Sequence, residues 1–414
     1  MGAGQFYPQY CRRLGFFDVA VHGDDVYFAN AFFSALIHYS LSSQKFDYVC
    51  PLPVFQHHGY MQYGPIAYTD GKLVIGARDA DFVLIYDCQK NEIVKQIFLD
   101  HAYLPGDLSA ANFSNIVLHN GCAYLLPGRC MAIMRIDLDT YEVSYLTDWF
   151  REVDGDIDEG LVHFLNASVV DGNLVILPAW QHNKIIFYNL QDRKYTVKKM
   201  PQEDMYPSCA EPYGESLLLG LREKKDIYLM MKDGSLQCFS PNNDVREFKA
   251  ERGYKKIYIS YNTAKAYLAP IDGNMALCFD LKTGRFSKWR DLKTEPKGVF
   301  DEFYRLGKNN LLCAHVSEDG KAFTYNAFDG MMGILDLEKG AFRSIPAVLP
   351  LNQVGGIAEY ERNRYFSKPV IENDNLDIIE FIDFLNSERI EIKKEVKNSR
   401  HKICGEVIYN TVMK

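Results

Sequence analysis

The chain has 414 residues, 47% hydrophobic, 14% aromatic and 24% charged, with 46 Lys+Arg against 54 Asp+Glu and a formal net charge of −8. That apolar content suffices for a packed core and excludes a disordered chain. The negative balance argues against nucleic acid or an anionic membrane as main partner, since both require a dense positive surface.

Taken in chain order, the N-terminal stretch MGAGQFYPQYCRRLGFF has no uninterrupted apolar run behind its charges and does not read as a secretory signal. No run of about 18 apolar residues occurs anywhere, so no membrane-spanning helix is expected. Residues 1–16 read as a segment that closes the fold, 17–373 as a repeat domain and 374–414 as a helical tail. The ten cysteines include no CxxC pair, and several lie in strand-like runs, as Cys238 does in SLQCF and Cys278 in MALCF. They are expected to be buried free thiols in a reduced, cytoplasmic setting.

Internal repetition is the dominant signal. Seven segments share a bulky apolar residue, then Asp, Asn or Ser, and usually a second apolar residue six positions further on. They are YSLSSQKF, YDCQKNEI, IDLDTYEV, YNLQDRKY, FSPNNDVR, FDLKTGRF and LDLEKGAF. The polar position falls at Ser40, Asp87, Asp137, Asn189, Ser240, Asp280 and Asp336, a mean spacing of about 49 residues. The fifth copy lacks its final apolar residue. An Asp or Asn side chain bonds the backbone two residues on and bends the chain, so each copy predicts a hairpin. A second hairpin precedes most copies, as in IAYTDGKLVIGA and IVLHNGCAYLLP, where Gly with Asp or Asn supplies a tight turn. Two hairpins per repeat make a four-stranded antiparallel unit, and radial stacking of such units gives an all-β propeller.

Seven blades are favoured. GIAEYERNRYFSKPV (356–370) imitates one more inner hairpin and IDFLNSERI an outer one, which leaves eight open. Against that, Leu376, Ile379 and Ile382 follow helical spacing behind Asp374, and KICGEVIYNTVMK reads as a short amphipathic helix.

FDLKTGRFSKW (279–289) resembles the outer hairpin of kelch-type and quinoprotein-type blades, and LDLEKGAF and YDCQKNEI are similar to it. The resemblance spans roughly residues 17–350 and implies architecture only, because the kelch glycine doublet and the Trp-Asp signature are absent. The acidic helix with CGEVIYNTVMK resembles C-termini of proteins from bacterial surface-polysaccharide biosynthesis clusters, which implies a biosynthetic context and no reaction.

In a four-stranded blade with strands A to D, the A–B and C–D turns share one face and the B–C and D–A loops share the other. The first set is short here. The second includes PVFQHHGYMQYG (53–64), DHAYLPGDLSAANF (100–113), DWFREVDGDIDEGLVHF (148–164), KTEPKGVFDEF (293–303) and HVSEDGKAFTYNAFDG (315–330). Loops of that length usually serve binding, which puts the site on that face. The ends of successive B strands are read as Asn30, Arg78, Arg129, Trp180 with His182, and His315. At the entries to A strands a polar residue precedes an aromatic: Gln62-Tyr63, Asn112-Phe113, His163-Phe164 and Glu302-Phe303. The aromatic is expected between blades and the polar neighbour in the central channel.

From these positions Gln62, Arg78, Asn112, Arg129, Trp180, His182 and His315 are candidate ligand-binding residues. His163 with Glu302 is the candidate acid–base pair. Arginine forks suit carboxylate or phosphate, and Trp180 and Tyr60 offer faces for a sugar-like or peptide-like body. No metal is expected. In DGDIDEG the EF-hand register starting at Asp154 places Glu159 where Gly belongs and Leu165 where Glu belongs, and His57-His58 reads as a solvated loop. The absence of GxSxG, phosphate-loop, Rossmann and HExxH patterns leaves no cofactor expected. The reading is a propeller for a small polar or anionic ligand in a cytoplasmic biosynthetic pathway, with catalysis left open. The alternative is a protein-interaction scaffold that uses the same loops or the C-terminal helix.

Overall fold

The outer hairpins turn on the side chains that the repeat marks. Asp87 Oδ1 accepts from the backbone N–H of Gln89 at 3.0 Å and of Lys90 at 2.9 Å. Asp137 does the same for Asp139 and Thr140, Asn189 for Gln191 and Asp192, and Asp280 for Lys282 and Thr283. Ser40 and Asp336 each cap one such N–H, of Ser43 and Lys339. Backbone donors hold the carboxyls of Asp87, Asp137 and Asp280 below the usual range. The inner hairpins turn on paired positive φ values instead. Asp70-Gly71 (φ 45° and 77°) and Asn120-Gly121 (φ 48° and 70°) have the conformation that matches strand twist.

The structure, a computed structural model, describes residues 14–53, 62–104, 112–150, 164, 167–170, 172–292, 311–317, 319–350 and 353. Blade 1 comprises β1 Ala20–His22, β2 Asp25–Ala29, β3 Ala35–Ser40 and β4 Phe46–Pro51. Blade 2 follows with β5 Tyr63–Thr69, β6 Lys72–Ala77, β7 Phe82–Asp87 and β8 Glu92–Phe98. Blade 3 has β9 Phe113–His119, β10 Cys122–Pro127, β11 Ile133–Asp137 and β12 Val143–Leu146. Blade 4 has β13 Ser168–Val170, β14 Leu174–Pro178, β15 Lys184–Asn189 and β16 Tyr195–Lys199. Blade 5 has β17 Pro207–Tyr213, β18 Ser216–Leu221, β19 Lys224–Met230 and β20 Leu236–Phe239. Blade 6 has β21 Tyr254–Ser260, β22 Lys265–Pro270, β23 Met275–Asp280 and β24 Phe286–Asp291. Blade 7 closes the series with β25 Leu311–Val316, β26 Lys321–Asn326, β27 Met331–Asp336 and β28 Ala341–Pro346. Within each sheet the strands lie in sequence order, all antiparallel, giving seven four-stranded blades. Segments 356–370 and 374–414 lie outside the described residues.

Two readings of the repeat are corrected. FSPNNDVR is not a hairpin: Ser240 follows β20 and starts a single 3-10 turn at Pro241–Asn243, with no cap bond from its side chain. The outer turn of blade 5 lies nine residues earlier, at Met231–Ser235, where Asp233 accepts from Ser235 N–H at 2.9 Å. Residues 315–330 are not a long loop either. They contain the turn between β25 and β26, the whole of β26, and the short turn to β27. His315 therefore sits on β25, the inner strand of blade 7, beside the turn to β26, rather than at the end of a B strand.

Inner strands of neighbouring blades face one another around the axis, and their free edges are stapled by side chains. Ser168 Oγ donates to Ala210 O at 2.7 Å, Ser208 Oγ to Tyr254 O at 2.5 Å, and Tyr258 Oη to Ala314 O at 2.8 Å. Each bond satisfies a carbonyl that a one-sided edge strand leaves open. The apolar core lies in the seams. Ile66, Leu73 and Leu125 fill it across blades 1 to 3, Trp149 and Phe164 between 3 and 4, and Leu219 and Met230 between 4 and 5. Leu218 with Leu268 joins blades 5 and 6, and Tyr267 with Leu335 joins 6 and 7. Cys278 is buried in the last of these, whereas Cys238 is exposed because β20 is an outermost strand.

The ring closes through the residues before β1. Leu14 N–H donates to Ala347 O at 3.0 Å, and Phe16 sits between Phe28 of blade 1 and Tyr325 of blade 7, with ring centroids 5.3 and 5.9 Å away. Among the described residues no helix is long and apolar enough to cross a membrane.

Candidate functional site

The bonds of Ser40 and Ser42 to Asp24 put the A–B and C–D turns of blade 1 on one face. The B–C turns gather on the other, where a backbone relay links blade to blade. Gln62 O accepts from the N–H groups of Arg78, Asp79 and Ala80 at 2.9, 3.0 and 3.0 Å. Arg78 O then accepts from Asn112 N at 2.8 Å, and Asn112 O from Gly128 and Cys130 N. Gly128 O takes the N–H of Phe164, and in blades 5 and 6 Arg222 O takes that of Gly253. Each B–C turn is thus fixed by the entry to its own inner strand and in turn fixes the entry to the next. Side chains on these turns are held rigidly around the mouth of the axis.

The expected residues divide accordingly. Gln62 and Asn112 are 3% and 4% exposed, and Asn112 Nδ2 donates to Ala80 O at 3.2 Å. They brace the turns rather than line the channel, while their aromatic partners Tyr63 and Phe113 are buried between blades as expected. Arg78 reaches out from the end of β6. Its guanidinium lies 4.0 Å from the Phe17 ring centroid and meets both Asp79 oxygens at 3.3 Å. Gly64 of β5 makes this path available, because a Cβ there would come 3.2 Å from that of Arg78.

Arg129, on the next blade, is only 3% exposed, and its buried Nε finds no hydrogen-bond partner among the described residues. Trp180 and His182 occupy the B–C turn of blade 4 and are partly buried. The Trp180 carbonyl accepts from Arg222 Nη1 at 3.3 Å, and Arg222 also lies over the Tyr206 ring. His163 and Glu302, with Tyr60, His57, His58 and the acidic 154–159 run, fall outside the described residues. Sequence reading missed Arg222, which holds in blade 5 the position of Arg78 in blade 2. The misplaced fifth repeat hid it.

Sequence reading also missed the axis itself. Lys255 and Lys256 on β21, Glu211 on β17, Cys313 on β25 and Asp18 before β1 come from four blades. Lys256 Nζ is 3.6 Å from Glu211 Oε1, and Lys255 Nζ donates to Leu311 O at 2.9 Å. Asp18 Oδ2 accepts from Ile66 N at 3.4 Å across the seam to blade 2. The charges act on one another: the Tyr258 hydroxyl, raised mainly by burial, also feels Cys313, Asp18 and Glu211. Burial pushes the Glu211 carboxyl up to about 7, against the pull of Lys256. Burial likewise lowers Lys255, and the nearby Arg78 and Arg252 lower it further, while the Cys313 thiol is raised. The missing signal was twofold. The KK pair of GYKKIYIS sits on a strand whose alternation should face one lysine into the seam. Instead the two reach opposite neighbours, Lys256 the Glu211 carboxylate of blade 5 and Lys255 the Leu311 carbonyl of blade 7, partners that no local string of letters specifies, with a bulge between Tyr254 and Lys256.

Arg78 and Arg129 thus follow the B strands of blades 2 and 3, and Arg252 precedes β21 of blade 6, cationic side chains in a chain of net charge −8. Among the described residues Arg78 and Arg252 meet carboxylates, Asp79 and Asp272. Such guanidinium groups attract an oxyanion. Among the described residues no group of three or more His, Cys, Asp or Glu side chains is placed to hold a metal ion.

No family model matches the chain, and no curated protein matches it. Solved structures do. YCF48 bound to D1 peptide is similar over 77% of this chain and 90% of that one, with a TM-score of 0.52 and 12% identity. Virginiamycin B lyase from Staphylococcus aureus aligns over 71% and 87%, with a TM-score of 0.49 and 12% identity. A chain of the Mitotic Checkpoint Complex aligns over 75% and 83%, at 0.49 and 12%. At such identities likeness speaks for the fold alone, and that fold is a seven-bladed β-propeller.

Proposed function

We propose that the chain is a ligand-binding propeller that takes a small polar anion at the axial mouth of its B–C face. The observation that carries this is Arg129. A buried donor left unbonded costs about 1–3 kcal/mol, and more when it is charged, so a fold keeps one where a ligand completes it. Arg78, fixed over Phe17, supplies a second fork on the adjacent blade. Carboxylate or phosphate on a glycan-like or peptide-like body fits such forks. Trp180, on the B–C turn of blade 4, is partly exposed and supports the reading. The proposal extends to the setting. Eight free thiols among the described residues suit a reduced cytoplasm, and the tail's resemblance favours a biosynthetic pathway. A catalytic role for His163 and Glu302 rests on sequence alone.

The test is thermal stabilisation by a panel of sugar phosphates, uronic acids and acidic peptides. A ligand at about 100 times its Kd adds ~2.7 kcal/mol to stability. Arg78→Ala and Arg129→Ala should each fold and lose that gain. Stabilisation that survives both substitutions discards the site. An acidic peptide that alone stabilises the protein moves the reading to the scaffold alternative.

A further inference from the structure

The seam between blades 1 and 2 opens, on the face opposite the B–C turns, into a cleft of about 180 Å³. The register of blade 1 builds one wall. Tyr27 on β2 stands opposite His38 on β3, and His38 stands opposite Asp47 on β4, so the three side chains form a row on one side of the sheet. Asp25, two residues before Tyr27, shares that side. Blade 2 supplies the other wall, with Tyr86 near the end of β7 and Cys88 in the turn that follows. Tyr86 Oη donates to Asn91 Oδ1, which fixes that ring. Cys88 N–H donates to Gly71 O at 2.8 Å and ties the C–D turn of blade 2 to its A–B turn, on the same face as the turns of blade 1.

The polar groups of the cleft lack a donor. His38 Nε2 and Asp25 Oδ1 are 2.7 Å apart. A carboxylate only accepts, so this nitrogen carries the proton, and in the uncharged ring Nδ1 is an acceptor. Nδ1 faces Asp47 Oδ2 at 3.7 Å, beyond hydrogen-bond length. Asp47 Oδ1 accepts from Gln353 Nε2 at 2.6 Å, which holds the carboxylate in place. Among the described residues nothing donates to Oδ2. No lysine or arginine lines the cleft. Whatever the charge of His38, the two carboxylates that flank it leave the cleft negative. Burial pushes the Tyr27 phenol up to about 12 and the Cys88 thiol up to about 11, so the remaining walls are uncharged.

Size narrows the class. A cavity of about 150 Å³ takes a benzene-sized molecule, whereas drug-sized ligands need roughly 300 Å³ or more. The cleft thus suits one charged head with a few methylenes. Tyrosine rings attract a cation within about 6 Å and also cover an apolar stem.

We propose that this cleft binds the primary ammonium or guanidinium head of a small organic cation, its N–H groups bonding Asp47 Oδ2 and His38 Nδ1 and its stem lying between Tyr27 and Tyr86. The site is separate from the anion reading above and does not depend on it.

Saturation-transfer NMR on the full chain at about 0.15 M KCl measures this. Butylammonium and butylguanidinium separate the two heads, N-acetyl-lysine amide separates a peptide side chain from a free amine, and 1-butanol is the uncharged control. The expected result is saturable binding of the cations with millimolar dissociation constants and none of butanol. Asp47→Asn keeps the acceptor for Gln353 and removes the charge, and should weaken binding about tenfold. Cys88→Phe fills the cleft at unchanged charge and should abolish binding. Binding that survives either substitution at the parent's affinity overturns the site. So does butanol binding as well as butylammonium, or no cation bound at tens of millimolar.

Discussion

Lys256 Nζ stands 3.6 Å from Glu211 Oε1, across the seam between the inner strands of blades 5 and 6. Lys256 is 3% exposed and Glu211 20%, so the pair lies where desolvation outweighs attraction. The carboxyl, ordinarily at 4.5, is pushed up to about 7. The unfolded chain loses this proton near 4.5 while the folded chain keeps it to about 7, so between those values the native state binds more protons. The associated stability is complete below pH 4.5 and is lost as pH rises through 7. Melting temperature should therefore fall from pH 5 to pH 8, and Glu211→Gln should flatten that part of the profile. The difference in slope corresponds to roughly 1–3 kcal/mol over the interval. A variant with the parent's slope would place the titration elsewhere.

Ring closure by Phe16 makes a second prediction. This side chain is fully buried against Phe28 and Tyr325, with Leu14 bonded to Ala347 just before it. Gly15 lies so close that a Cβ would meet both Phe32 and Tyr325 at 2.7 Å, so the seam has no slack to collapse into a void. Phe16→Ala should cost about 3–5 kcal/mol, near the upper range for core truncations. Limited proteolysis should find its new early cuts in blades 1 and 7. Protection equal to the parent in those two blades would mean the ring is closed by other contacts.

Gly64 tests how Arg78 is aimed. A methyl group there would stand 3.2 Å from Arg78 Cβ, so the arginine must shift by a few tenths of an ångström. Gly64 lacks positive φ, so Ala carries no backbone strain. Gly64→Ala should change the melting temperature by less than about 2 °C and weaken anion binding about tenfold, as expected when a fork loses one of two aligned bonds. Unchanged affinity would mean that Arg78 does not touch the ligand.

How far the sequence could be read depends on where the determining interactions lie. Asp87, Asp137 and Asp280 bond their own backbone two and three residues on, so a local string of letters contains the whole cause of each hairpin. The blades and their order follow. The axis is another matter. Glu211 and Lys256 meet only across the seam between blades 5 and 6, and Asp18 meets Ile66 only across the seam between blades 1 and 2. Gln62 and Asn112 were expected in the channel because polar groups must line it. Their backbone atoms instead bind the B–C turns, and burial follows from that relay. Arg78 and Arg129 were legible because they end B strands of regular blades, Arg222 was not because blade 5 departs from the repeat, and His315 was misassigned through a turn read as a loop.

Blade 5 supplies a direct check on that register. Asp280 bonds the N–H groups of Lys282 at 3.0 Å and Thr283 at 2.8 Å, whereas Ser240 makes no cap bond and Asp233 occupies the true turn, bonded to Ser235. Asp280→Ala leaves two turn donors to water and should lower the melting temperature by about 2–4 °C. Ser240→Ala removes nothing and should leave it within 1 °C, although the repeat pattern in the sequence gives the two positions equal rank. Asp233→Ala should resemble Asp280→Ala in direction. Lowering pH should act on Asp280 as the substitution does. Its carboxyl titrates below the usual range, so its contribution is present above the ordinary carboxylate pKa and disappears as pH falls through the depressed value. A melt in which Ser240→Ala matches Asp280→Ala would restore the sequence register and move the outer turn of blade 5 nine residues downstream.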